Sequence, residues 1–285
     1  WTNDIIGEVS EKAATETGLA KGTLVTAGTI DAAAEAISVG VINPKDMMMM
    51  YGSTMYFIIL TDKPIYDNRM WYAPWLFKGE HCSQAGLSTS GTLTHWFKNN
   101  FAKDIDNENP FIILAKEAEK SPIGSNGIIF LPYFSGERSP IHDTHAKGTF
   151  FGLNLTHTRS DIYRSIFEGI AYGTNHVFET LKDLNNMPKN LFSVGGGTKN
   201  KLWSQTTSDV IGLNQILRTT TFGASYGDAF LSALACDDVA KEEINQWNKI
   251  DYSITANKKE EYNKEYKFFR RLYEQTKDIM EDMDN

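Results

Sequence analysis

The chain has 285 residues, 41% of them hydrophobic and 22% charged, and a formal net charge of -8. That is enough chain to bury a large core as one big domain or two smaller ones, and an acidic surface argues against a nucleic-acid partner, whose phosphates need a basic face. No apolar run approaches membrane-spanning length and no signal peptide is visible, while the two cysteines, Cys82 and Cys236, sit in no metal-ligand spacing and read as reduced thiols of a cytoplasmic protein.

The chain starts at Trp1 and residues 4–18 already look organised, so a preceding segment is expected. Asp4–Gly18 reads as a helix, with Ile5, Ile6, Val9, Ala13 and Thr17 near helical spacing and Gly18 as its stop. Leu24–Ala27 is a short strand, and Asp31–Val39 a helix after the Gly28 turn. Met47–Tyr51 and Met55–Leu60 make a hairpin around Gly52-Ser53-Thr54, and the Met47–Met50 run reads as buried strand. Residues 61–80, rich in Pro, Trp and Tyr, form a loop or irregular hairpin. Helices are expected over Thr92–Phe101 and Ile112–Lys120, with a turn at Asp106–Pro110 between them, and a strand over Ile128–Leu131.

Ser160–Leu181 is the clearest helix, with an apolar stripe of Ile162, Ile166, Ile170, Val177 and Leu181 and a capping box from Thr158 to Asp161. Leu191–Val194 is a strand running into Gly195-Gly196-Gly197, followed by a helix over Lys201–Ile211, a strand at Ile216–Thr219 and a helix at Tyr226–Ala235. A charged helix over Lys258–Met280 closes the chain. Strands alternating with helices indicate a layered α/β fold.

Three glycine turns follow apolar strands: Gly52-Ser53-Thr54, Gly195-Gly196-Gly197-Thr198 and Gly223–Gly227. Backbone amides at such turns can cradle phosphate oxygens, although a glycine turn taken singly is more often a tight connection. No Walker loop occurs, and Gly195–Gly197 lacks the dinucleotide spacing. Asp31 follows Gly28-Thr29-Ile30 and precedes three alanines. A carboxylate there can accept a hydroxyl proton or cap the helix, and residue type alone leaves both readings open.

Taken together the motifs are less generic. Gly148-Thr149-Phe150-Phe151-Gly152-Leu153, seven residues, Asp161-Ile162 and then Ser165-Ile166-Phe167-Glu168 resemble the second signature of the FGGY carbohydrate kinases position by position. Leu131-Pro132-Tyr133-Phe134-Ser135-Gly136-Glu137-Arg138-Ser139-Pro140 is similar to the loop of the xylulokinase-like branch, and the likeness runs on to about residue 240. The resemblance implies an actin-like ATPase fold of ribonuclease-H type, with this chain as the C-terminal half of a two-domain sugar kinase. Residues 1–43 would end the N-terminal sugar-binding domain, and 44–285 would form the nucleotide-binding domain with its helical tail.

The same resemblance implies Asp31 as the base that deprotonates the sugar hydroxyl. It implies Gly52 and Ser53, with Thr54 in the same turn, at the nucleotide phosphates. Gly91 and His95 would lie near the nucleotide, although the family has Gln where His95 stands. Gly196, Gly197 and Asn200 would pack on adenosine. ATP and Mg2+ are implied as cofactors, with the magnesium ligands and most of the sugar pocket outside this chain, so no metal ligand is named. A pentulose such as xylulose is the expected acceptor, with gluconate, glycerol, ribulose or a deoxy sugar as alternatives, and a homodimer follows from family habit. A non-catalytic actin-like nucleotide binder and a purely structural module are the competing classes.

Other residues have structural readings. His142 and His145 lack a third ligand, Glu137 and Arg138 read as an ion pair, and Trp71, Tyr72, Trp75 and Phe77 read as packing or a dimer contact.

Overall fold

The computed structural model describes residues 1–106 and 109–284. It begins with a small antiparallel pair, β1 (Ile5–Glu8) and β2 (Leu24–Thr26), with the short helix α1 (Glu11–Thr17) between them. The helix expected over 4–18 is thus only its second half. The Ser10 hydroxyl accepts the Ala13 amide at 3.2 Å, and that N-cap starts the helix after the paired strand.

Next come α2 (Asp31–Ser38), β3 (Asp46–Tyr51), β4 (Met55–Thr61), β5 (Trp71–Pro74), β6 (His81–Leu87), α3 (Gly91–Phe101) and α4 (Pro110–Ala118). The turn expected at 106–110 falls partly on residues 107 and 108, outside the described residues. A second antiparallel pair, β7 (Ile129–Leu131) and β8 (Thr149–Phe151), precedes the long helix α5 (Arg159–Asp183). The chain ends with β9 (Asn190–Val194), α6 (Lys201–Ile211), β10 (Gln215–Arg218), α7 (Ala224–Ala235), α8 (Ile244–Trp247), β11 (Ile250–Ile254) and α9 (Lys259–Asp282).

Seven strands form one mixed sheet in the order β11-β10-β9-β3-β4-β6-β5. The hairpin strands β3, β4 and β6 are antiparallel, and β9 and β10 extend them in parallel from the β3 side. This is the ribonuclease-H-like sheet of the actin-like ATPase fold. Its central strand is covered on both faces. Met47, Met49 and Tyr51 pack toward α5 and α6 with Phe167, Phe178 and Trp203, while Met48 packs toward α2 and α7 with Ile37 and Phe230. Burial on both sides explains an apolar run without alternation.

β5 lies within the segment expected to be irregular and forms the sheet edge. Its aromatic neighbourhood is packing: Trp75 is buried, and the Tyr72 hydroxyl meets His81 Nδ1 at 3.0 Å. Cys82 is buried and Cys236 exposed, and both are free thiols.

Helix α2 shares its core with the sheet. Ala33, Ala36, Ile37, Val41 and Ile42 join the cluster that holds Ile58 and Phe192. Its last carbonyls are satisfied from across the fold: Arg218 Nε donates to the Val39 carbonyl at 2.9 Å, and Asn248 Nδ2 to that of Ser38 at 2.9 Å. Helix α7 crosses α2 so closely that a Cβ on Gly227 would lie 1.8 Å from the Ala34 carbonyl oxygen.

The most family-specific residues build scaffold. The Asp161 carboxylate accepts from Ser121 Oγ at 2.7 Å, Asn126 Nδ2 at 2.7 Å and the Thr158 amide at 2.8 Å. Burial would raise its pKa, but these bonds outweigh that and hold it at about 2. Glu168 accepts from Arg164 Nε at 2.8 Å, Ser125 Oγ at 2.7 Å and the Gly124 amide at 3.0 Å. Segment 121–126 is therefore fastened to α5 by two carboxylates.

Glu137 does not pair with the Arg138 guanidinium as expected. Its Oε1 accepts the amides of Ser88 and Arg138 at 2.6 and 2.7 Å, while Arg138 Nη2 donates to the Leu87 carbonyl. Glu137 Oε2 is buried without a partner, and burial pushes the carboxyl up to about 7.

Two outcomes follow. Gly227→Ala should lower stability by about 2–4 kcal/mol, because the methyl would meet backbone that cannot move aside; chemical denaturation checks this. The native Glu137 carboxyl holds its proton more tightly than an unfolded one. Its contribution to stability is therefore fully present below the unfolded value near 4.5 and is lost as pH rises through about 7. Glu137→Gln should accordingly match the parent at pH 4.5 and exceed it at pH 8 by on the order of 3 kcal/mol, as read from denaturation curves at the two pH values.

Candidate nucleotide site

Parallel pairing sets the site. In the β3–β9 register Met50 stands opposite Val194, so Gly52 and Gly195 leave the sheet side by side at the carboxyl ends of adjacent parallel strands. In open α/β sheets that edge is where ligands collect. A buried amide locks the arrangement. Gln215 Oε1 accepts from Tyr51 Oη at 2.9 Å and Ser193 Oγ at 2.6 Å, and its Nε2 donates to the Ser204 carbonyl at 2.8 Å and Ser208 Oγ at 2.9 Å. One side chain thus ties β3, β9, β10 and α6 together with its hydrogen-bonding capacity filled.

Above this edge lies a cleft of about 580 Å³, within the ordinary range for small-molecule sites. Gly52, Ser53, Gly91, His95, Gly196, Gly197 and Asn200 all line it. Seven of the nine residues expected to bind or act are therefore brought together across 149 positions of sequence, from 52 to 200. Thr54 is not among the lining residues, and its carbonyl accepts the Gly52 amide within the hairpin tip at 3.0 Å.

Asp31 also lies outside the cleft lining. It is exposed at the first turn of α2, where its Oδ1 accepts the amide of Ala32 at 2.7 Å. Its charge reaches Glu35 on the next turn, whose pKa is raised by burial and then by Asp31. It also reaches Tyr56, two residues past the hairpin tip, whose pKa is raised mainly by burial with a smaller part from Asp31.

The hairpin tip and α3 are fitted together. The Gly91 amide donates to the Gly52 carbonyl at 3.1 Å, and the amides of Ser90 and Thr92 donate to the Ser53 carbonyl at 3.0 and 3.3 Å. The orphan donors at the start of α3 are thereby used by the protein itself and are not left for an anion. His95, one turn further on, meets Phe111 edge-on at 4.7 Å between ring centres.

At the opposite wall, Asn200 caps α6 through Oδ1, which accepts the Trp203 amide at 3.1 Å. A Cβ at Gly197 would lie 2.5 Å from Trp203 Cζ3, whereas one at Gly196 would meet nothing within 4 Å. Gly197 serves close packing, and Gly196 faces open space.

The structure adds Lys116, Lys199 and Lys201 to the cleft, and Phe111 on α4. Lys199 and Lys201 flank Asn200 directly after the glycine turn, a signal present in the sequence. Lys116 comes from a helix that only the fold brings near. The mixture of glycine turns, three ammonium groups and aromatic faces suits a ligand with an anionic end and a planar end. Among the described residues no group of three or more His, Cys, Asp or Glu side chains could hold a metal ion.

Residues 47–236 match the FGGY family of carbohydrate kinases, C-terminal domain. The chain belongs to that family. This FGGY domain is similar to the xylulose kinase of Staphylococcus epidermidis, strain ATCC 12228, at 27% identity over 288 residues, covering 99% of this chain and 57% of that protein. It is 27% identical to the xylulose kinase of Bacillus subtilis over 295 residues, 98% of this chain and 56% of that one. The solved xylulose kinase of Rhodospirillum rubrum has the same fold, with a TM-score of 0.89 at 28% identity over 98% of this chain and 57% of that chain. The chain spans a little over half the length of the curated relatives it matches.

The two glycines of the turn should separate by substitution. Gly196→Ala should leave stability within about 0.5 kcal/mol and weaken ADP binding roughly tenfold or more, because its methyl would project into the cleft. Gly197→Ala should destabilise by about 2–4 kcal/mol through its clash with Trp203. Thermal melts and titration calorimetry with ADP check both.

Proposed function

We propose that the full protein transfers the γ-phosphoryl group of ATP to a sugar hydroxyl, with a pentulose such as D-xylulose as acceptor and Asp31 as general base. The observation that carries this reading is the convergence of the glycine turns after β3 and β9, with Asn200 and three lysines, on one cleft of an FGGY family domain. Xylulose kinases from several bacteria among its relatives support the choice of acceptor.

In this reading the ammonium groups of Lys116, Lys199 and Lys201 offset nucleotide phosphate charge, and Gly196 leaves room for the nucleotide. Phosphoryl transfer asks little covalent chemistry of a protein, so positioning and charge stabilisation do most of the work. Asp31 is exposed at a helix start with small neighbours, Ala32, Ala33 and Ala34, and a hydroxyl can approach it. Mg2+ would neutralise developing charge on the phosphates. It commonly binds through one or two carboxylates together with phosphate oxygens and water, so the lack of a three-residue cage among the described residues is compatible with it. The sugar pocket, cytoplasmic location and homodimeric assembly belong to the same proposal.

ADP release by the full-length protein, tested against xylulose, ribulose, gluconate and glycerol, decides the matter. Asp31→Asn should reduce kcat on the preferred sugar by about 100-fold or more while ADP affinity stays unchanged. Full turnover by the variant would remove Asp31 from the chemistry. Nucleotide binding without turnover of any sugar would favour a non-catalytic relative.

A further inference from the structure

A second cavity, of about 560 Å³, lies between the C-terminal half of α5 and the helix α9. It is separate from the nucleotide cleft. Tyr163 lines the one and Glu179 the other, about 24 Å apart along α5 at a rise of about 1.5 Å per residue. Although the chain as a whole carries a net charge of -8, this cavity is lined by five cationic side chains and only two carboxylates.

Both carboxylates already have their counter-charges. Glu179 accepts from Arg270 Nη1 at 2.7 Å and Tyr266 Oη at 2.6 Å, and Glu274 accepts from Lys277 Nζ at 2.8 Å. The cations are less well matched. Lys182, Lys267 and Arg271 make no side-chain hydrogen bond or ion pair among the described residues. Arg270 Nε is buried without a partner. Lys259 is half-buried with its ammonium on the Ile211 carbonyl at 2.8 Å, and burial together with neighbouring Lys182 depresses its pKa.

We propose that this cavity binds a phosphorylated small molecule, at a site distinct from that of the nucleotide. The exposed ammonium and guanidinium groups of Lys182, Lys267 and Arg271, without a protein counter-charge around a half-open cavity of this size, match the charge and the bidentate geometry of phosphate oxygens better than those of a monovalent anion. The side chains do not fill the space, and a ligand would complete the pairing that the two carboxylates leave undone.

Titration calorimetry on the full-length protein, with inorganic pyrophosphate as the probe and saturating ADP in the nucleotide cleft, tests this directly. The expected result is residual pyrophosphate binding that weakens with added salt. It should fall at least about tenfold in Lys267→Glu with Arg271→Glu. The pair Lys267→Gln and Arg271→Gln, on the same exposed turns of α9, should also weaken it with an unchanged melting temperature. No binding once ADP is present, or binding that both pairs leave unchanged, would overturn the proposal.

Discussion

The buried amide of Gln215 is the constraint on which the site depends. It is fully enclosed and makes four hydrogen bonds, reaching Tyr51 at the end of β3, Ser193 in β9 and two residues of α6. A buried amide left partly unpaired is costly, so the register of three strands and one helix is coupled to its orientation. That register sets Gly52 beside Gly195. The cleft is therefore a consequence of how the sheet centre is knitted.

Family-specific and ligand-facing residues occupy different places. Asp161 and Glu168, in the long signature, spend their carboxylates on Ser121, Asn126, Gly124 and Ser125, and so hold a loop against α5. The cleft residues that motif spacing picks out are mostly glycines and short polar side chains, such as Gly52, Ser53, Gly196 and Asn200, each unremarkable alone. A pattern built on buried hydrogen-bonded charges tolerates few replacements without leaving a charge unpaired, whereas a glycine turn looks like any other turn.

Much of the fold was legible along the chain because its elements obey local rules. The helix from Arg159 carries both an apolar stripe and a capping box, and β3 is a continuous apolar run between turns. The failures also have local causes. Ile5 and Ile6 fit a helical stripe, yet both lie in β1, where Ile5 stands opposite Thr26 of β2, and the Ser10 cap delays the helix to Glu11. Strand β11 does carry a local signal, since Ile250, Tyr252 and Ile254 alternate with polar Asp251 and Ser253, but it is only five residues long, and it pairs along the edge that β10 offers.

The family, the alternation of strands and helices and the glycine turns were determined by sequence, because backbone propensity and motif spacing are local properties. Only tertiary structure decided that seven distant residues share one cleft, that α3 turns its first amides to the hairpin tip, and that α2 belongs to the core of the sheet. It also decided that Glu137 is held by main-chain amides and not by its neighbour's guanidinium. Each of these depends on which surfaces meet when the chain closes on itself. A residue's burial and partners are then set by segments tens or hundreds of positions away, which no local pattern encodes.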